Sequence, residues 1–93
     1  MANIYLSPTM GDARVRVAVV SERGFADLWV CRVNSPGLAI GDERWFINAD
    51  RMMARTVVHL CSVGMAQLTV CWVPGRGEAG WRVPDHPWRG RLR

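Results

Sequence analysis

Short stretches in which apolar and polar residues alternate recur along the whole chain. Mostly polar residues stand between the apolar positions, for example Arg14 and Arg16 in one stretch and Gln67 and Thr69 in another. A period of two is typical of a β-strand that buries one face, and the many valines favour the same conformation. We therefore predict a mainly β protein. Its inward-facing positions are Val15 and Val17, Leu28 and Val30, Thr56 and Val58, Leu68 and Val70, and Trp81 and Val83.

An alanine precedes each stretch, and the alanines recur about every 13 residues. They are Ala13, Ala26, Ala39, Ala54, Ala66 and Ala79. Glycine stands two residues before five of them, at Gly11, Gly24, Gly37, Gly64 and Gly77. Turn-forming residues such as Ser7-Pro8 come before the glycines. We therefore predict a single small domain of six turn-and-strand units, with short antiparallel strands, over residues 1–83.

The small residues of the repeat have a local interpretation. Alanine at a fixed place indicates a close approach of two backbones, where a larger side chain would clash. Glycine indicates either a positive φ or a bulge. Pro36-Gly37 fits a type II turn, which requires a positive φ at the glycine.

The third and fourth units depart from the pattern. Two extra residues follow Ala39, and Gly41-Asp42-Glu43 predicts an extra turn before a strand from Arg44 to Ile47. In the fourth unit Met52 replaces the glycine. Asn48 or Asp50 could cap a helix there, so we predict at most one short helix near residues 49–55.

Four segments of the repeat together resemble a known family. They are Ile4-Tyr5-Leu6, Gly24-Phe25-Ala26-Asp27-Leu28, Gly64-Met65-Ala66-Gln67-Leu68 and Gly77-Glu78-Ala79-Gly80-Trp81-Arg82. With the repeat in register from about Ile4 to Arg82, the chain resembles the septoil-knot domain, a family of small bacterial proteins of unknown function. The resemblance implies a backbone tied in a seven-crossing knot. The repeat by itself also allows an unknotted antiparallel meander or barrel.

Length and composition limit the class of protein. A chain of 93 residues with 49% hydrophobic residues can form one globular core. Its longest apolar runs are far shorter than the roughly 20 residues of a membrane span, and the first residues do not have the pattern of a secretory signal. Cys31, Cys61 and Cys71 lie in strand-like runs without Cys-x-x-Cys spacing. We expect reduced, buried thiols in a cytoplasmic monomer.

Motifs that would carry chemistry are sparse. His59 and Cys61 share a strand face and could approach each other, although a structural histidine beside a buried thiol is the favoured interpretation. Gly75, Gly77 and Gly80 match the spacing of a nucleotide-binding loop, but no helix is predicted after them, as that mechanism requires. We therefore predict no catalytic residues, no metal site and no cofactor.

The basic C-terminal tail, residues 84–93, with Arg82 before it, is the part that the repeat does not explain. All 12 basic residues of the chain are arginines, and five of them lie beyond residue 75. Arginine binds phosphate and tryptophan can stack on bases, which suggests an anion or nucleic-acid contact. Its candidate residues are Arg82, Trp88, Arg89, Arg91 and Arg93. The alternative is a tail that fastens the last strand while Trp88 packs on the core.

Two functions are compatible with these observations. The first is a non-enzymatic, stable scaffold or interaction domain that binds an unidentified protein partner. The second is a nucleic-acid-binding or anion-binding module that uses the arginines and tryptophan of the tail.

Overall fold

Each predicted alternating stretch forms a β-strand. In the computed structural model, which describes residues 1–93, the predicted inward positions of four strands carry buried valines, leucines and Thr56. The polar residues between them lie outside, as the period of two predicts. The fifth predicted pair, Trp81 and Val83, is only half-buried, and Val83 lies beyond the last strand. The strands are β1 (Asn3–Leu6), β2 (Val15–Val19), β3 (Leu28–Val33), β4 (Arg44–Ile47), β5 (Thr56–Leu60), β6 (Leu68–Trp72) and β7 (Gly80–Trp81).

The expectation of antiparallel strands was wrong, because β1 to β6 form a parallel barrel. Their order is β4-β1-β5-β2-β6-β3, and pairing of β3 with β4 closes the ring. Each of these pairs is parallel, and only β7 runs antiparallel, against the start of β3. Parallel neighbours usually need a crossover of a dozen residues or more. Here the barrel strands are only four to six residues long, so connections of seven to ten residues, each with one 3-10 turn, are enough to return the chain.

The chain passes around the barrel twice. β1, β2 and β3 occupy alternate positions on the first pass, and β4, β5 and β6 fill the gaps on the second. The chain moves two positions from strand to strand, except from β3 to β4, where it moves only one. The two extra residues of the third unit lie in that connection, where Gly41 to Glu43 form a bend before β4. The irregular spacing of the repeat therefore coincides with the step that interleaves the two passes.

A single turn of 3-10 helix stands before every strand from β2 to β7. The six turns are η1 (Met10–Asp12), η2 (Arg23–Phe25), η3 (Pro36–Leu38), η4 (Arg51–Met53), η5 (Val63–Met65) and η6 (Arg76–Glu78). The repeated alanine ends each one, since its backbone N–H donates to the carbonyl three residues back, at 3.1 to 3.4 Å. The helix predicted near 49–55 is therefore η4. It is one of six equivalent turns, distinguished by the Asp50 side chain, which accepts from the Met52 N–H at 2.9 Å.

The interpretation of the repeated glycines was wrong. Only Gly41 and Gly90 have a positive φ, at 74° and 81°. The five glycines of the repeat lie in the 3-10 turns, including Gly37, which therefore does not form the type II turn. A Cβ added at any of them would meet nothing within 4 Å, so packing gives no reason for glycine there. Ala26 and Ala39 are fully buried, whereas the other four alanines are half-buried.

One cluster of apolar side chains fills the barrel. Trp45 is its largest member and is fully buried; its indole N–H donates to the Asp42 carbonyl at 2.7 Å. Since a buried tryptophan needs a partner for its N–H, this contact positions the bend before β4. No helix of the fold is long and apolar enough to cross a membrane. The cluster comprises Ala2, Ile4, Val15, Val17, Leu28, Val30, Trp45, Val58, Leu68, Val70 and Leu92.

Candidate functional site

The tail, residues 84–93, folds back over the end of the barrel where the strands begin. Leu92 is fully buried in the core, and Trp88 packs against the same cluster. Thr56, the first residue of β5, donates from Oγ1 to the Leu92 carbonyl at 3.4 Å. Arg14, just before β2, lies over the indole of Trp88, with Cζ 5.8 Å from the ring centroid. The tail therefore closes this entry end of the barrel.

The carboxylate of Asp42 holds the closure in place. Oδ1 accepts hydrogen bonds from the backbone N–H groups of Leu92 and Arg93, each at 3.1 Å. Oδ2 accepts from the Gly90 N–H and, at 3.1 Å, from Nε1 of Trp81. Asp42 is only 4% exposed, and a buried carboxylate must be hydrogen-bonded to offset its lost hydration. These four donors satisfy it, which makes the bend before β4 the anchor of the tail.

His86 provides a second attachment. Its Nε2 lies 3.3 Å from Oδ2 of Asp27, and its Nδ1 accepts from the Trp88 N–H at 3.1 Å. The imidazole also stacks on the indole of Trp81, with ring centroids 5.4 Å apart. Both ring nitrogens are thus engaged, so His86 joins the tail to the start of β3.

Two of the predicted anion contacts are directed at the backbone. Nε of Arg82 donates to the Ala26 carbonyl at 2.5 Å, and Nη1 of Arg89 donates to the Pro84 carbonyl at 2.7 Å. Each guanidinium therefore has at least one donor engaged inside the protein. Their capacity to hold an external anion is reduced accordingly.

The other three predicted contacts differ in their exposure to solvent. Trp88 is half-buried under Arg14, so its ring is not a free stacking surface. Arg91 and Arg93 are exposed, and their side chains make no hydrogen bond or ion pair within the protein. The structure thus leaves Arg91 and Arg93 available to solvent and ties the remainder of the predicted set to the fold.

His59 and Cys61, the residues considered for catalysis, do not form a hydrogen-bonded pair. Nδ1 of His59 lies 3.0 Å from the Ser7 carbonyl oxygen. Cys61 is a half-buried free thiol, and no hydrogen bond joins it to His59. No group of three or more histidine, cysteine, aspartate and glutamate residues lies close enough to hold a metal ion.

Cys31 and Cys71 occupy the same place in two different units, and their surroundings in the structure are equivalent. Both are buried free thiols. Sγ of Cys31 lies 3.8 Å from the Pro74 carbonyl, and Sγ of Cys71 lies 3.9 Å from the Ser21 carbonyl. Each also approaches the carbonyl of the next residue at 3.7 Å. They are equivalent packing residues beneath the connections.

The end of the barrel where the strands finish is open. Each of the six barrel strands contributes one residue there, two positions beyond a buried core residue. Val19, Leu60 and Trp72 are about two-fifths exposed, and Arg32 is also exposed. Each residue of this ring is the next inward position in the alternation that predicts its strand. The ring could therefore be predicted from the sequence. The ring, called here the open mouth, comprises Leu6, Val19, Arg32, Ile47, Leu60 and Trp72.

A cleft of about 730 Å³ lies beside the open mouth, at the ends of β3 and β4. Leu38, Phe46 and Ile47 form its apolar wall, and Arg32 and Arg76 supply its charge. None of its lining residues is acidic. We call it the arginine cleft. Its residues come from three distant parts of the chain, so the sequence could not place them together.

Exposed apolar side chains mark the 3-10 turns η2, η4 and η5. Met52 is 88% exposed and Phe25 75% exposed, values that are high for such large apolar groups. In the sequence they are apolar residues within predicted turns, where polar residues are usual. This set, called here the apolar turn surface, comprises Phe25, Met52, Met53, Val63 and Met65.

Comparison with known proteins identifies the family. Searches among curated proteins and among solved structures gave no match. The family model described as the 7(1) septoil knot domain matches residues 1–82, which span all six turns and the seven strands. The tail lies outside the matched region. The chain therefore belongs to the septoil knot domain family.

Proposed function

We propose that this protein is a non-enzymatic interaction domain that binds a partner protein through the apolar turn surface. The observation that carries the proposal is the exposure of Phe25, Met52 and Met53 on a small folded domain. Single exposed apolar residues are ordinary, but a contiguous group of them favours an interaction site. Methionine suits such a site because its flexible, polarisable side chain adapts to different partners.

The turns that carry these residues are neighbours around the barrel. η4, η1, η5 and η2 lead into β5, β2, β6 and β3, which are consecutive in the strand order. Met10 in η1 is also exposed, at 39%, so the apolar character continues across the middle of the group. An ion pair between Arg51 and Asp12, at 3.6 Å, joins η4 to η1. The group therefore forms an arc along one side of the molecule.

Charge favours a partner segment that is acidic as well as apolar. Arg14 and Arg55 flank the arc, are exposed and form no ion pair. The whole chain carries a net charge of +4, so a second copy of the same surface would meet repulsion. Complementary charge speeds association and selects among partners. We therefore propose an acidic, amphipathic protein segment as the partner.

A capture experiment with a matched control tests this function. The immobilised domain is exposed to a lysate of its source cells, and retained proteins are tested again in purified form by calorimetry. The variant Phe25→Ser/Met52→Ser/Met53→Ser should lose the partner, while Ile40→Ser, which removes an exposed residue outside the arc, should retain it. Equal binding by the triple variant, or retention of no protein, would contradict the proposal.

The second candidate is anion or nucleic-acid binding by Arg91 and Arg93. It is supported by their exposure and by the basic charge of the chain. Deleting the tail is a poor test, because the deletion also removes the buried Leu92. The double variant Arg91→Ala/Arg93→Ala should lose salt-sensitive retention on heparin, whereas Arg55→Ala should keep most of it. Absence of salt-sensitive retention in the unmodified protein would exclude this candidate.

We also propose that the backbone follows the seven-crossing path for which the family is named. The interleaved double passage around the barrel supports this, since such a path requires the second pass to run between strands already in place. Burial of Leu92 fastens the end of the chain that such a path would thread.

A further inference from the structure

The arginine cleft lies on the side of the molecule that the fold leaves uncovered. The tail closes the barrel at the starts of the strands, whereas the cleft is formed by the ends of β3 and β4 and by the connection before η6. Two smaller depressions lie beside it, and both are lined by Trp72 of the open mouth. These three depressions therefore lie where strands β2, β3, β4 and β6 end.

Arg32 and Arg76 bring two guanidinium groups to the cleft that are outside any ion pair. Both side chains are exposed, and neither forms an ion pair or a side-chain hydrogen bond. Among all the arginines, only Arg23 and Arg51 are paired with a carboxylate. The nearby Glu78 carboxylate is engaged by the Gly75 N–H at 3.1 Å and by Arg23 at 2.9 Å. Two guanidinium groups outside any ion pair attract an anion, and their planar forks match carboxylate, sulfonate or phosphate oxygens.

Apolar side chains also line the cleft. Leu38, Phe46 and Ile47 are only half-buried there, so part of each side chain faces the cleft and solvent. The volume of about 730 Å³ lies within the range of small-molecule sites. A ligand that fits both the arginines and these apolar side chains has an anionic group at one end and an aliphatic or aromatic body.

We propose that the arginine cleft binds a small organic anion with an apolar body, held at its charged end by Arg32 and Arg76. The site is separate from the apolar turn surface, so a failure of one proposal leaves the other unaffected. Neither arginine contributes a contact to the core, and their replacement should leave the fold intact.

Fluorescence titration with anilinonaphthalene sulfonate tests the site, because this probe joins a sulfonate to an aromatic body. The unmodified protein should bind one equivalent saturably, and Arg32→Gln/Arg76→Gln should weaken binding by about tenfold or more. The control variant Arg55→Gln should bind as the unmodified protein does, and so should Met52→Ser/Met53→Ser. Phenylnaphthylamine, the uncharged analogue, should bind at least about tenfold more weakly than the sulfonate.

Amide chemical shifts measured during the same titration locate the probe. Changes should concentrate at residues 31–34, 46–47 and 75–76, and circular dichroism should show that every variant is folded. Equal affinity of the Arg32→Gln/Arg76→Gln variant, equal affinity for the uncharged analogue, or shifts centred on the apolar turn surface would each overturn the proposal.

Discussion

The carboxylate of Asp42 accepts a hydrogen bond from the backbone N–H of Leu92 at 3.1 Å, across 50 residues of sequence. Asp42 lies in the bend that interrupts the repeat, and Leu92 lies in the tail that the repeat does not include. The contact therefore joins the two irregular parts of the chain at the entry end of the barrel. Removing either residue should loosen that end.

Replacing Asp42 by alanine should lower the free energy of unfolding by about 3 kcal/mol. The physical reason is that the N–H groups of Trp81 and Leu92, among others, would lose a charged acceptor in a buried place. Urea denaturation followed by tryptophan fluorescence measures the change. Asp85→Ala is the matched control, because Asp85 is exposed and forms no hydrogen bond or ion pair; it should change stability by less than about 0.5 kcal/mol. Similar losses in both variants would contradict the role of Asp42.

Replacing Leu92 by alanine should cost about 3 kcal/mol, since its fully buried side chain would leave a cavity in the core. Arg91→Ala, one residue away and exposed, should be nearly neutral. The urea midpoints of the two variants give the comparison. If both variants match the unmodified protein, the tail is not part of the core in solution.

The strands could be predicted from the sequence because their signal is local. The buried positions Val15, Val17, Leu28 and Val30 follow directly from the period of two. The direction of pairing could not be predicted, because short strands separated by turns also suit an antiparallel meander. Parallel pairing here joins residues such as Ile4 and Thr56, which only the complete path brings together.

The candidate sites, too, could be predicted from the sequence only where the signal for each residue is local. Exposed apolar residues in turns, such as Phe25 and Met53, are visible in the sequence once the turns are located. The arginine cleft is not, because Arg32 and Arg76 come from different passes around the barrel. The sequence predicts only a turn at Gly41-Asp42, because three of the four donors to the Asp42 carboxylate lie in the tail and the fourth is the indole of Trp81.

Gly24→Ala should stabilise the protein by up to about 1 kcal/mol. Gly24 lies in a 3-10 turn without a positive φ, and an added Cβ would meet nothing within 4 Å, so the main effect is to restrict the unfolded chain. Gly90→Ala should instead destabilise by about 1 kcal/mol, because φ is 81° there. Thermal unfolding measures both. Destabilisation by Gly24→Ala would indicate a constraint on this glycine other than packing or backbone conformation.

The three thiols should react at two different rates. Cys61 is half-buried, whereas Cys31 and Cys71 are buried beneath connections, so a thiol reagent should modify Cys61 first in the native protein. The other two should react fully only when urea unfolds the chain. A Cys61→Ser variant should abolish the first phase and leave the second at two equivalents. Rapid reaction of all three native thiols would show that the connections over Cys31 and Cys71 open readily.

If the backbone is knotted as proposed, the first folding of a newly made chain should be slower than refolding after denaturation. A new chain must thread its end through a loop, whereas a denatured chain can retain the knot and skip that step. The interleaved passes of this barrel place β5 between β1 and β2, and a knotted path through that arrangement includes a threading step. Cell-free synthesis followed by pulse proteolysis measures the first rate, and stopped-flow fluorescence measures the second. Prolyl isomerase, added to both, removes delays caused by the five prolines. Folding within milliseconds of a chain verified as unknotted when denatured would contradict the knot, because such a chain would have to thread a loop before it could fold.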